Sequence, residues 1–418
     1  MPARYDVAVI GAGAAGLAAA IAAARTGPVS VLLLDGRDMI GAKILMSGGT
    51  RCNVTHFKVL PSDFFSQTPR TVRNILSGFT PAQTLQFFHE LGVRLVLEET
   101  GKYFPDTHSA KTVLDALVSE ALRLKVELVT GCKISEVRQE NGIFAAAGNG
   151  KTYLARTLIL CTGGLSYPTT GSDGTGYSLA KKFGHERVET SPALTPLLTS
   201  DPDWKSLSGL TLDCRLELWE GGKKQIDFTD SFLFTHQGFS GPAALNISRH
   251  WLRGSTPDAK PEIRAVFLPQ QHENGLREKI MADRAAYPAR SVKRWLAGLL
   301  PERLAEVLTR RAGIPEPGTL NQLARVQREA LIRAVLQSPL AASGTSGYAK
   351  AEVTAGGVDL ASVDAHTLES KKAPGLFFAG EILDVDGRIG GFNFQWAWAS
   401  GHAAGSAAAK KALGSSGA

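Results

Sequence analysis

Gly11, Gly13 and Gly16 stand in a GxGxxG run, and Asp35 follows 19 residues after the last of them. Residues of these types at this spacing can bind a dinucleotide. Gly11 permits a tight turn, Gly13 lets the backbone approach a pyrophosphate, and Gly16 allows a helix to lie close on a strand. Ala14 and Ala15 lie between Gly13 and Gly16, before a helix whose N-terminus attracts phosphate charge. Asp35, with Gly36 beside it, would accept hydrogen bonds from an adenosine ribose. The elements needed to hold these residues surround them: residues 5–10 (YDVAVI) read as a buried strand, 17–25 as an Ala/Leu-rich helix, and 29–34 as a second strand ending at Asp35. This unit by itself does not separate NAD from FAD.

Four further segments bear on the cofactor. Residues 41–56 (GAKILMSGGTRCNVTH) place Ser47, Gly48 and Gly49 in a backbone nest, with Lys43 and Arg51 as positive charges and Cys52 and Asn53 following. Residues 157–164 (TLILCTGG) form an apolar strand closing on Thr162, Gly163 and Gly164, where backbone can pass close to a ligand. In residues 375–401 a buried strand ends at Gly380-Glu381, and Gly390-Gly391 opens a helix over 392–409. The helix N-terminus would stabilise negative charge on a ring placed before it. Phe392, Asn393 and Gln395 lie in its first turn, the latter two as candidate polar contacts, while Phe392, Phe394, Trp396 and Trp398 are expected chiefly as core. Residues 126–137 hold a Gly131 turn between two strand-like stretches.

The 41–56 segment resembles the signature of the BaiN/YhiN-type flavoproteins, also described as NAD(P)/FAD-dependent or aminoacetone oxidase-like oxidoreductases. The resemblance covers nearly the whole chain, including residues 233–242 (LFTHQGFSGP) and 351–358 (AEVTAGGV). Residues 157–164 are similar to the strand end of glutathione-reductase-like flavoproteins, with Cys161 in place of Ala. The resemblance implies non-covalent FAD, with Glu381 toward the ribityl hydroxyls where an Asp is usual, and Ile134 at the adenine. Thr50 stands where Gly is common and His56 where Asn is common. The implied fold is α/β: a Rossmann-like, glutathione-reductase-like FAD-binding domain interrupted by a β-barrel-like unit and a small helical unit.

Accordingly, residues 1–190 and 350–418 are expected to form a discontinuous FAD-binding domain. Residues 191–273 and 338–349 would form the β-rich insert, with strand patterns at 210–218, 226–234 and 263–268. Residues 274–337 carry apolar residues at helical spacing, and 414–418 form a small-residue tail expected to fray. Between 274 and 336, twelve Lys and Arg face six Asp and Glu, so this segment carries +6 of the net +7. Charge runs are usually solvated faces, but clustered cations also attract phosphate backbones. Since relatives include flavoenzymes that reduce a uridine in ribosomal RNA, rRNA contact through 274–336 is an alternative expectation.

Composition narrows the classes further. With 44% hydrophobic and 20% charged residues the chain is globular, not disordered. Cys52, Cys132, Cys161 and Cys214 stand far apart, which argues against a disulfide framework, a metal site or a dithiol relay and suits a reducing cytoplasm. The apolar run over 7–24 is broken by glycines and flanked by Asp6, unlike a signal peptide, and no stretch reaches the ~20 apolar residues of a membrane span. No second GxGxxG unit occurs in 150–260. Flavin would therefore exchange hydride directly with whatever enters the site, NAD(P)H docking transiently as one donor. Weak candidates for proton transfer are Cys52, Arg51 and His236. The substrate is a small molecule or RNA. A peroxide-forming amine oxidase and a non-catalytic flavin-binding protein are the other readings, and oligomeric state is not encoded in any motif.

Overall fold

The computed structural model describes residues 4–256 and 261–414, so the end of the 414–418 tail lies outside the described residues. The chain forms two compact units, Met1–Pro192 with Ala351–Ala418, and Ala193–Lys350.

The first unit is built on a parallel sheet. Strand Arg4–Ile10 lies between Val31–Leu34 and Lys151–Leu160, with Val9 opposite both Leu33 and Ile159. Glu127–Val129 adds to the Val31–Leu34 edge, and Leu376–Phe378 pairs in parallel with the second half of Lys151–Leu160. These strands are apolar on both faces, as a sheet covered by helices requires; Leu32, Leu33, Leu34, Leu158 and Ile159 are fully buried. The first half of Lys151–Leu160 instead pairs antiparallel with Ile143–Gly148, which pairs with Glu136–Glu140. The dinucleotide helix Ala14–Thr26 and the C-terminal helix Phe392–Gly414 pack together through small residues. A Cβ on Gly401 would lie 2.5 Å from the Ala15 carbonyl oxygen, so this face tolerates only hydrogen there.

The second unit carries an antiparallel sheet in the order Ser338–Pro339, Glu262–Val266, Thr211–Glu220, Lys223–Phe234, Gly238–Ser240, Leu197–Thr199, Ala342–Thr345. Helices Glu273–Ala286, Val292–Leu296, Glu302–Arg311 and Arg325–Leu336 fall where helical spacing predicts them. One continuous core joins Phe232, Phe234 and Phe267 from the sheet side to Trp295, Leu304 and Leu331 from the helices. The change from β-rich to helical sequence at 274 is thus a change of secondary structure inside one unit. Among the described residues no helix is long and apolar enough to cross a membrane.

Candidate functional site

Every candidate cofactor residue lies in the first unit. Strand Arg4–Ile10 ends at Gly11, whose φ of +104° favours glycine and whose amide donates to the Leu34 carbonyl at 2.7 Å. A Cβ on Gly16 would sit 1.8 Å from the Gly11 carbonyl oxygen, which fixes how closely the helix enters. Gly13 differs: a Cβ there meets no protein atom within 4 Å, although it caps the helix. The cap has no side-chain hydrogen bond and the first turn, with Ala14 and Ala15, has no acidic residue, so its orphan amides are left for an anion.

Asp35 follows the next strand. Its carboxylate accepts the Ala12 amide at 2.7 Å and the Arg37 amide at 2.8 Å, tying both turns together, and still has acceptor sites for a ribose. The Gly131 turn is laced to this loop by Gly131 N–H to Arg37 O (3.0 Å) and Cys132 N–H to Asp35 O (2.8 Å). Gly36 sits against Lys133, so Ile134, itself buried, is held at the Asp35 end as an adenine contact requires.

The segment expected as a nest, Ser47–Gly49, opens on an extended Ser47 (φ −71°, ψ 151°). Gly48 (φ +56°), Gly49 (+66°) and Thr50 (+69°) are left-handed in succession, and a Cβ on Gly49 would meet nothing within 4 Å. Thr50 thus occupies a conformation that suits the Gly common at this position. Arg51 pairs with Glu98 at 2.6 Å and lies 4.0 Å from the Phe104 ring centre, so its charge is already engaged. Cys52 is fully buried and its thiol is pushed up to about 12 by burial, which keeps it protonated near neutral pH. His236, the remaining proton-transfer candidate, is an exposed residue of the Thr235–Gly238 turn in the second unit.

Lys43 does not stand free as a charge for diphosphate. Its ammonium donates to Glu381 Oε2 and to Ser166 Oγ, both at 2.6 Å, while Ser166 Oγ and the Thr354 amide donate to Glu381 Oε1 at 2.6 and 3.0 Å. Glu381 is therefore organised by three donors at the end of strand Leu376–Phe378. Thr354 Oγ1 also accepts the Leu165 and Ser166 amides, at 2.8 and 3.0 Å. Ser166 and Thr354 escaped the sequence reading; the signal was a polar residue just past the Thr-Gly-Gly strand end and a lone Thr in AEVTAGGV.

Two of the polar residues assigned to the cofactor belong to the scaffold instead. Gln395 is fully buried, accepts from Thr55 Oγ1 (2.6 Å) and Thr84 Oγ1 (2.8 Å), and donates to the Phe79 carbonyl (2.7 Å), which ties it into the packing between these segments. Asn393 uses both ends of its amide on the Gly387 backbone, at 2.8 and 2.9 Å. The aromatic residues are core: Phe392, Trp396 and Trp398 are buried, and the Trp398 indole donates to the Val54 carbonyl at 2.9 Å. His56 stacks on Phe392 at 4.9 Å.

An adenine dinucleotide with a flavin ring fits the remaining atoms. Asn53 Oδ1 and Thr162 Oγ1 are buried without a hydrogen-bond partner among the described residues, a costly state that a ligand would relieve. Asn53 Oδ1 lies by Gly391, where a Cβ would be 2.7 Å away, at the mouth of the C-terminal helix; Thr162 precedes Gly163 and Gly164 at the strand end. Gly163 (φ +72°) and Gly380 (+77°) are left-handed, and a Cβ on either would meet protein, the Ser172 hydroxyl and Ala15 Cβ respectively, at 2.6 Å.

The family model described as the HI0933-like protein Rossmann domain matches residues 5–407. A 3-dehydro-bile acid delta(4,6)-reductase of Clostridium scindens is 35% identical, with 97% of this chain and 99% of that protein covered. A ribosomal RNA dihydrouridine synthase of Escherichia coli is 36% identical, with 95% and 96% covered. Among solved structures, the 3-ketosteroid-delta4-(5alpha)-dehydrogenase of Rhodococcus jostii shares the fold at TM-score 0.50 and 17% identity, covering 97% of each chain. The FrdA chain of Escherichia coli quinol fumarate reductase does so at TM-score 0.51 and 16% identity, covering 99% of this chain and 72% of that one. The chain belongs to the HI0933-like Rossmann family and is an oxidoreductase of the flavoprotein class.

Proposed function

We propose that this protein holds FAD non-covalently along Gly11–Gly16, Asp35, Ser47–Asn53, Thr162–Gly164 and Gly380–Phe392, and reduces a ring C=C conjugated to a carbonyl. Bound reduced flavin supplies the hydride in this chemistry. The observation that carries the reading is the single dinucleotide cradle at Gly13 in a chain whose four cysteines are all buried and unpaired. With no thiol pair to relay electrons, the substrate itself must reach the cofactor. The names of the relatives support the choice of bond: 3-oxo Δ4 bile acids and uracil both present an alkene conjugated to a ring carbonyl. The chain's own part is to fix the adenine end through Asp35, to set Glu381 with Lys43 and Ser166, and to offer the C-terminal helix N-terminus to negative charge. NAD(P)H is the proposed electron donor, docking in the same place as the substrate. The test is anaerobic reduction of the FAD-loaded protein by NADPH and by NADH, then reoxidation by an enone or by uridine-containing RNA.

A polyanionic substrate is a second reading, and one surface favours it. Of the twelve cations in 274–336, Arg277, Lys279, Lys293, Arg310, Arg311 and Arg328 are taken up in ion pairs, two of them with Asp201 and Asp203 outside the segment. Arg290, Arg294, Arg325 and Arg333 are exposed and make no ion pair among the described residues, and Arg290 lies 5.6 Å from the ring centre of exposed Tyr287. A guanidinium group over an exposed aromatic ring, as at Arg290, suits phosphate and base. Changing Arg290, Arg294 and Arg325 to Glu would abolish salt-dependent RNA binding on this reading, and unaltered binding would refute it.

A further inference from the structure

We propose that Arg388 and Lys102 form an anion-binding subsite at the opening of the C-terminal helix, which selects substrates carrying a carboxylate or phosphate beside the ring to be reduced. It rests on the reduction proposed above and names its substrate class.

Both cations border Gly390 and Phe392. Lys102 begins strand Lys102–Pro105 opposite His56, and its Cε lies 3.7 Å from where a Cβ on Gly390 would stand. Phe392 Cε2 lies 3.1 Å from the same point, and the Arg388 guanidinium carbon lies 4.5 Å from the Phe392 ring centre. The next residue reaches the cofactor atoms: a Cβ on Gly391 would stand 2.7 Å from Asn53 Oδ1, which is buried without a partner among the described residues. Arg388 and Lys102 therefore flank the ring end of the cofactor site.

Arg388 is held in place with its tip left over. Its amide donates to the Asp63 carbonyl at 3.0 Å, and its Nε lies 2.8 Å from Asp63 Oδ1, while Asp63 Oδ2 accepts the Leu60 amide at 2.7 Å. Asp63 and the Phe392 ring thus fix one edge of the guanidinium. Its two terminal nitrogens donate no hydrogen bond among the described residues, and 41% of the side chain is exposed. The half-buried Lys102 makes no hydrogen bond or ion pair among the described residues. A guanidinium presents a fork to carboxylate or phosphate, and an ammonium adds a second point charge. The helix end behind them is positive as well, with no acidic residue in its first turn. His56, stacked on Phe392, adds no charge near neutral pH, because burial and, to a smaller extent, Arg388 lower its pKa. The FAD phosphates are taken up at Gly13–Ala15 on the reading above, so these cations are left for a second anion.

The test uses the FAD-loaded protein and two matched pairs: 5-oxocyclohex-3-ene-1-carboxylate with its methyl ester, and uridine 5′-monophosphate with uridine. Titration of the oxidised protein, followed by flavin absorbance, gives each dissociation constant without turnover; anaerobic reoxidation of the dithionite-reduced protein gives the rates. The charged member of at least one pair should bind about 10–100-fold more tightly than its neutral partner. Which pair shows the preference tells whether the subsite takes a carboxylate or a phosphate. Arg388→Gln and Lys102→Met should each shrink that ratio about tenfold, and Arg388→Lys should keep part of it. Equal binding of the charged and neutral members by wild type, or a ratio unchanged in both variants, overturns the subsite alone. A wild type that prefers the anion but is never reoxidised by either pair keeps the subsite and removes the reduction reading.

Discussion

Gly405 of the C-terminal helix lies directly on Ala19 of the dinucleotide helix: a Cβ on Gly405 would stand 2.1 Å from the Ala19 carbonyl oxygen. This contact joins the two helices that carry proposed cofactor residues at Gly13–Gly16 and Gly391–Phe392. Gly405→Val should push the helices apart and cost roughly 1–3 kcal/mol, as overpacking does, and should weaken FAD uptake in parallel. Urea denaturation with a flavin titration checks both, and a stable variant with normal uptake would contradict it.

Gly13 and Gly16 separate folding from binding. The space above Gly13 is free of protein, so Gly13→Val should unfold within about 0.5 kcal/mol of wild type, as surface changes usually do, yet lose most of its affinity for FAD. Gly16→Ala meets the Gly11 carbonyl and should destabilise the cofactor-free protein itself. Comparing melting with and without FAD for the two variants distinguishes the roles.

The nest carries a removable strain. Thr50 is exposed and left-handed at φ +69°. Such a conformation costs an L-residue about 1–2 kcal/mol, so Thr50→Gly should raise stability by about 1 kcal/mol, net of the entropy glycine adds to the unfolded chain. An unchanged or lower denaturation midpoint would argue against the strain.

Two histidines, the buried His185 and the half-buried His250, set an acid limit on stability. Burial, helped by Lys372, lowers His185 to about 4; burial, helped by Arg249 and Arg253, lowers His250 to about 3. His185 is held between the Ser362 and Ser370 hydroxyls at 2.8 and 2.7 Å. Each binds its proton more weakly folded than unfolded, so its contribution is complete above the ordinary histidine pKa of about 6.5 and is lost as pH falls from there toward 4. Unfolding free energy should therefore drop between about pH 7 and about pH 5, and His185→Gln should flatten that slope. An unaltered slope would show that His185 does not titrate this way.

The parts of the site legible in the sequence are those where backbone geometry dictates the residue. Gly11, Gly16, Gly48 and Gly163 announce turns and close approaches that only glycine meets, and Thr50 betrays its strain by standing where Gly is common. The side-chain chemistry was less legible because its partners are remote. Gln395 is held by Thr55, Thr84 and Phe79, and Lys43 meets Glu381 across 338 residues, so neither pairing leaves a local pattern. Cys52 and Arg51 stand out by type alone; that one is buried and the other paired with Glu98, 47 residues away, leaves no local pattern. Half the cations of 274–336 lose their apparent freedom the same way.

The most direct measurement is an equilibrium titration of cofactor-free protein with FAD, followed by visible absorbance and flavin fluorescence, for wild type beside Gly13→Val. The account predicts one FAD per chain for wild type, with shifted absorbance and quenched fluorescence, and little uptake by a Gly13→Val protein that melts normally. A wild-type chain that leaves FAD free in solution, or a Gly13→Val chain that binds it equally well, would contradict the claim that these two chain ends grip a flavin.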